Sequence, residues 1–122
     1  MVSGSLIQNV PWVQVILGWG QAVQDPFVVL DTGFTGDLQV TPKIAKELGL
    51  VVTSVTPARI ANGQVVQIPT ALAVAAMEGH RAVIDVLISE SMPLVGISFL
   101  TKFSYKAMVD CKNQLVALER MP

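Results

Sequence analysis

Val28-Val29-Leu30-Asp31-Thr32-Gly33-Phe34-Thr35 is the stretch on which the reading of this chain turns. Three apolar residues lead straight into a carboxylate, and a glycine follows two positions later. A buried strand that ends on an acid beside a glycine has a clear physical use. Gly33 allows a sharp backbone turn, so its N–H can point back at the Asp31 carboxylate. Thr35 carries a hydroxyl able to donate to the other carboxylate oxygen. The expectation is a rigid acid at the floor of a cleft. The plainer alternative is an Asx turn, in which Asp31 only caps its own backbone.

Working outward, the chain reads mostly as strands. Val10 to Leu17 is rich in β-branched and aromatic residues and ends at the turn signal Gly18-Trp19-Gly20. Ala22 to Leu30 returns as the second arm of an opening hairpin, with Pro26 marking an edge position or a bulge. Thr41-Pro42 then opens a short helix. Threonine caps well, proline suits the first helical position, and Gly49 stops it. Asn62-Gly63 lies between Ala58-Arg59-Ile60 and Val65-Val66, a strong hairpin signal. A long run from Gln64 to Met77 turns at Glu78-Gly79-His80, and Arg81 to Ile88 alternates as a strand. Ile97 to Phe103 reads as a helical turn, followed by strands at Tyr105 to Val109 and Leu115 to Leu118. No linker divides the chain. It reads as a single mostly-β domain over residues 1–122 with one or two short helices.

Composition narrows the function. The chain has 122 residues, enough for one core and too few for two. Hydrophobic residues form 52% of it and charged residues 14%, an apolar excess that suggests burial against another chain. Eight basic and nine acidic residues give a net charge of −1. No basic stripe is present, which argues against a nucleic-acid partner. One cysteine, Cys111, and one histidine, His80, make neither a disulfide nor a Cys/His zinc cluster. No metal or cofactor is expected. The apolar stretches Val10 to Trp19 and Thr70 to Met77 are interrupted or too short for a bilayer, and Met1 to Gln14 lacks the pattern of a secretory signal. A soluble cytoplasmic protein without a membrane partner is the expectation. Asp37 reads as an exposed turn residue, and Asp85 and Asp110 as strand-edge or turn residues.

Val29-Leu30-Asp31-Thr32-Gly33-Phe34-Thr35 resembles the active-site loop of the retropepsin-like aspartic peptidases: two apolar residues, Asp-Thr/Ser-Gly, one further residue, then Ser or Thr. The family also carries an apolar-apolar-Gly element before a short helix, and Leu94-Val95-Gly96 before Ile97-Ser98-Phe99-Leu100 matches it. Between the two it places a flap hairpin, where Ala58 to Gln67 lies. Three elements in the right order make the resemblance far more specific than the tripeptide alone.

The resemblance implies a closed retropepsin-type β-barrel and an aspartic endopeptidase acting on extended peptides. It makes Asp31, Thr32 and Gly33 the catalytic loop, with Thr35 and Gly96 supporting it. Ile60, Ala61, Asn62, Gly63 and Gln64 become the flap over the substrate. Aspartic peptidases need two carboxylates sharing one proton, because like charges a few Å apart cannot both ionise cheaply. One Asp-Thr-Gly in a one-lobe chain therefore implies a homodimer, with the terminal strands as one place for its interface. The sequence departs from the family at two places: the flap tip has no Tyr or Trp, and Phe34 stands where alanine is common. A catalytically weak or inactive dimerisation or peptide-binding module of the same fold is the rival reading. A structural β-domain whose Asp-Thr-Gly is coincidental is a second.

Overall fold

The computed structural model describes residues 1–59 and 62–122. Strands β1 (Val2–Ile7), β2 (Val10–Gln14), β3 (Ile16–Trp19), β4 (Ala22–Gln24), β5 (Phe27–Leu30) and β6 (Leu38–Val40) precede helix α1 (Pro42–Leu48). Strands β7 (Val52–Arg59), β8 (Val65–Met77), β9 (His80–Ile88) and β10 (Leu94–Val95) follow, then helix α2 (Ile97–Lys102) and strands β11 (Tyr105–Asp110) and β12 (Leu115–Arg120). No helix among the described residues is long and apolar enough to cross a membrane.

The opening hairpin forms, and its register is continuous. Trp12 faces Val29, Val13 faces Val28, Leu17 faces Gln24 and Trp19 faces Ala22, so no residue is inserted at Pro26. Pro26 interrupts the ladder without a bulge. Its carbonyl accepts from the Val15 N–H at 3.1 Å, but it has no N–H to return. The turn is tighter than expected as well, since Gly18 and Trp19 belong to β3 and the chain reverses at Gly20-Gln21.

The strands are hydrogen-bonded in the order β11-β12-β1-β2-β5-β10-β6-β9-β8-β3-β4, with β7 on β8. The expectation of a closed barrel is met only in its mostly-β character, because this path of pairs is open. Its two distant members β2 and β3 are nonetheless joined covalently through Val15 alone, and Val15 is fully buried. The seven strands from β2 round to β3 thus wrap one core, which holds Val13, Leu17, Val28, Leu38, Ile84, Val86, Val95, Phe99 and Phe103.

Helix α1 forms as its signals dictate. The Thr41 hydroxyl accepts from the Ile44 N–H at 3.3 Å, and Gly49 ends the helix with φ +69°. The β7–β8 hairpin also forms, in register from Thr56 facing Ile68 to Arg59 facing Val65. Beyond Thr70 towards the tip, β8 pairs only with β7 among the described residues, so a two-stranded ribbon projects from the sheet. At its end the Asn62 side chain accepts from the Gln64 N–H at 2.9 Å, and Gly63 sits at φ +86°. Ile60 and Ala61, expected in the flap, lie outside the described residues.

Strand β12 is flanked on both edges within the chain, by β11 and by β1. Neither edge of β12 is open for a strand from a second copy.

Candidate active site

Two short strands lying side by side build the site. β10 runs parallel to β5, Leu94 beside Val29 and Val95 beside Leu30, and antiparallel to β6. Val28, Leu30, Leu38 and Val95 are buried, so apolar packing fixes where both strands end. At the end of β5 the chain emerges as Asp31, whose N–H is held by the Val95 carbonyl at 3.0 Å.

Asp31 is half-buried, and Thr32 and Gly33 are exposed. The Gly33 N–H donates to Asp31 Oδ1 at 2.9 Å, which is the contact anticipated from the Asp-Thr-Gly order. The Phe34 N–H donates to the Asp31 carbonyl at 3.1 Å and closes a tight turn. The second anticipated contact is not made, as Thr35 forms no hydrogen bond to Asp31 among the described residues. Thr35 instead lines a neighbouring cleft.

Gly96 seals the loop from behind. A Cβ there would stand 2.3 Å from the Gly36 carbonyl oxygen and 2.6 Å from that of Phe34, distances no side chain tolerates. Both carbonyls are needed where they are. They accept from the Ser98 N–H at 3.2 Å and the Ile97 N–H at 2.9 Å, and the Asp37 carbonyl accepts from the Gly96 N–H at 3.0 Å. The otherwise orphaned donors at the start of α2 are thereby satisfied by the acid loop. Phe34 fits because its ring lies over Gly36 and Gly96, where any Cβ would meet it at 2.7 Å. The bulky residue at this position is matched by two missing side chains.

Asp37 corrects the sequence reading. It is not an exposed turn residue but only 3% exposed. Its Oδ2 accepts from the Asp85 N–H at 2.9 Å and from Lys102 Nζ at 2.6 Å, tying the loop to β9 and α2. Oδ1 has no partner at hydrogen-bonding geometry among the described residues. Burial pushes the carboxyl's pKa up, but the Lys102 hydrogen bond, the nearby Ser98 hydroxyl, the Asp85 N–H and the Lys102 charge outweigh it and hold the pKa below 3.8. The available signal was its position directly before Leu38-Gln39-Val40, all buried. Asp110 caps the β11–β12 turn through Asn113, as expected; Asp85, expected at a strand edge or turn, instead lies within β9, exposed and facing Leu72 of β8. Cys111 is exposed in that turn and His80 is exposed at the start of β9.

Two surfaces adjoin the Asp31 loop. A cleft of about 360 Å³ separates Thr35, Gly36 and Asp37 from Ser54, Thr56 and Thr70 at the base of the hairpin. On another side, exposed Thr32 borders a shallow apolar depression with Ile97, Leu100, Tyr105, Ala107 and Met121. No group of three or more metal-ligating side chains occurs among the described residues.

No family model matches the chain, and no curated protein matches it. Solved structures do. The chain is similar to a retropepsin-like aspartic protease from Rickettsia conorii at a TM-score of 0.64 and 16% identity, over 97% of this chain and 88% of that one. It is similar also to EIAV protease, solved with the inhibitor HBY-793, at a TM-score of 0.61 and 16% identity over 79% and 89% of the two chains. The fold is retropepsin-like.

Proposed function

We propose that this chain is one half of a homodimeric aspartic endopeptidase, in which Asp31 and its twofold mate activate the water that cleaves an extended peptide. The carrying observation is the geometry of Asp31. Its carboxylate stands at the end of a buried strand, oriented by the Gly33 N–H, on a loop otherwise exposed at Thr32 and Gly33. The fit to two aspartic proteases over most of the chain supports the same reading.

A single lobe supplies one carboxylate, and the chemistry needs two. One ionised carboxylate takes a proton from the water while its protonated partner donates to the peptide carbonyl oxygen, with no covalent intermediate. Thr32 and the apolar depression around Ile97 and Met121 are the surface that meets the second copy. Thr32 is then placed to reach the other chain's loop. Ile97 and Met121 are 41% and 46% exposed, an apolar area that a twofold contact would cover. Thr35 and Gly96 support the loop, and the hairpin tip from Ile60 to Gln64 closes over bound peptide and excludes water.

The test has two parts. Sedimentation equilibrium at micromolar concentration should give a dimer, and a peptide library should be cut by the wild type and not by Asp31→Asn. A strict monomer that cuts nothing would sink the proposal. A dimer that binds peptides without cutting them would establish the non-catalytic module instead.

A further inference from the structure

We propose that the cleft between the Asp31 loop and the base of the β7–β8 hairpin is a subsite for a cationic side chain, lysine or arginine. The peptide context of that side chain rests on the peptidase reading, whereas the cation site itself does not.

The cleft, about 360 Å³, lies within the range of pockets that enclose small ligands. Its wall is unusual in chemistry. Among the described residues five hydroxyls line it, from Thr35, Ser54, Thr56, Thr70 and Ser98, and Leu87 is the one large apolar residue. Thr56 and Thr70 bond to each other at 2.8 Å, while the Thr35 and Ser54 hydroxyls bond to no other described residue. These groups await a polar guest, not a hydrocarbon one.

Charge decides which polar guest. Asp37 and Asp85 both line the cleft, and no basic residue among the described residues does. Lys102 neutralises Asp37, but Asp85 has no ion-pair partner among the described residues. The cleft therefore carries about one net negative charge. Asp37 adds a second, independent pointer. It is 3% exposed, and its Oδ1 lacks a partner at hydrogen-bonding geometry among the described residues, a costly condition for a buried carboxylate oxygen. The Ser98 hydroxyl lies beside it and can donate to Oδ1 while accepting from a guest. A cation in the cleft would pair with Asp85 and complete a chain of donors through Ser98 to Asp37. Hydroxyls able to accept, set beside an unpaired carboxylate, suit an ammonium or guanidinium better than a carboxylate or a bare methyl group. The two carboxylates are too few to hold a metal ion, and one of them is already engaged by Lys102.

The site can be tested apart from proteolysis. Isotope-labelled protein is titrated with millimolar butylguanidinium, butylammonium and the neutral isostere butylurea, following backbone amide signals. The two cations should move signals around Thr35, Ser54, Asp85 and Ser98 saturably, and butylurea should not. Asp85→Asn should weaken cation binding about fivefold, and 0.5 M salt should weaken it further. Ser54→Lys, which places an ammonium of its own at the cleft, should abolish the response. Absence of localised shifts, or equal shifts with butylurea, would overturn the inference. In a peptide library, wild type should favour Lys or Arg at one fixed position from the cut, and Asp85→Asn should lose that preference. Cleavage with no basic preference overturns the subsite and leaves the peptidase standing. Cation binding without any cleavage does the reverse.

Discussion

The two ends of one loop carry an aspartate each, and the protein treats them oppositely. At the first end Asp31 is half-buried, and among the described residues its carboxylate takes one hydrogen bond, from Gly33. At the second, six residues on, Asp37 is buried and takes a lysine and a backbone N–H. On the proposed peptidase reading one carboxylate is left available for a reactant, and the other holds the loop, β9 and α2 together. An acid next to a glycine at a strand end is poised for chemistry only if something else fixes the loop. Asp37 and Gly96 are that something.

The comparison breaks most sharply on activity. Asp31→Asn keeps the size and the acceptor for Gly33 but cannot act as a base, so turnover should fall about 10³-fold or more. Thermal unfolding should barely move. A large loss of stability in Asp31→Asn would erase the contrast, because Asp31 would then be structural too.

Gly96→Ala should give the largest stability loss. The added Cβ collides with two carbonyl oxygens at 2.3 and 2.6 Å, both backbone, so the loop or α2 must move. That cost is about 3 kcal/mol, combining overpacking with strained hydrogen bonds. Calorimetry should record a fall in Tm of roughly 10 °C. A shift under about 2 °C would mean the loop is softer than its packing implies.

Asp37→Asn should come next, at about 2 kcal/mol. The amide can still accept from the Asp85 N–H but no longer pairs with the Lys102 charge. Lys102 is 37% exposed and can rehydrate, which keeps the cost below that of a fully buried pair. Urea unfolding at pH 7 measures it. Stability equal to wild type would assign the strut to Gly96 alone.

How much of this was legible in the residues depends on whether a signal was local. Thr41-Pro42, Gly49 and Asn62-Gly63 act through their own backbone, and the helix and hairpin formed where they stood. The Gly33 contact to Asp31 spans two residues and was equally readable. β1 was not. No element was expected before Val10, yet a Cβ at Gly4 would lie 2.0 Å from the Trp12 carbonyl oxygen, so glycine is there to let β2 approach. β6 is three residues long and carries no period to detect. The role of Asp37 depends on Lys102, 65 positions away, and no local pattern encodes such a pair. The same holds for the cleft, whose hydroxyls come from four separated segments, the Asp31 loop, β7, β8 and α2.

The smallest effect is the acid limit of the Asp37 strut, and its sign follows from the direction of one shift. The folded pKa of Asp37 lies below 3.8, because the hydrogen bonds and charge around it overcome the opposing effect of burial. In the unfolded chain the carboxyl titrates near its ordinary 3.8. Protonation therefore starts in the unfolded state first as pH falls, and the unfolded state gains from it. The strut's contribution is complete above 3.8 and is lost as pH drops through the lower folded value. Glu78 and Asp110 are shifted in the same direction, so the wild type alone would not isolate Asp37. The difference in unfolding free energy between wild type and Asp37→Asn does, taken at one protein concentration because association shifts apparent stability. It should stay level from pH 7 to about 5 and shrink as pH falls below 3.8. A gap that instead widens in acid would mean the buried carboxyl is protonated in the folded state, and Asp37 would no longer be the spent partner of Asp31.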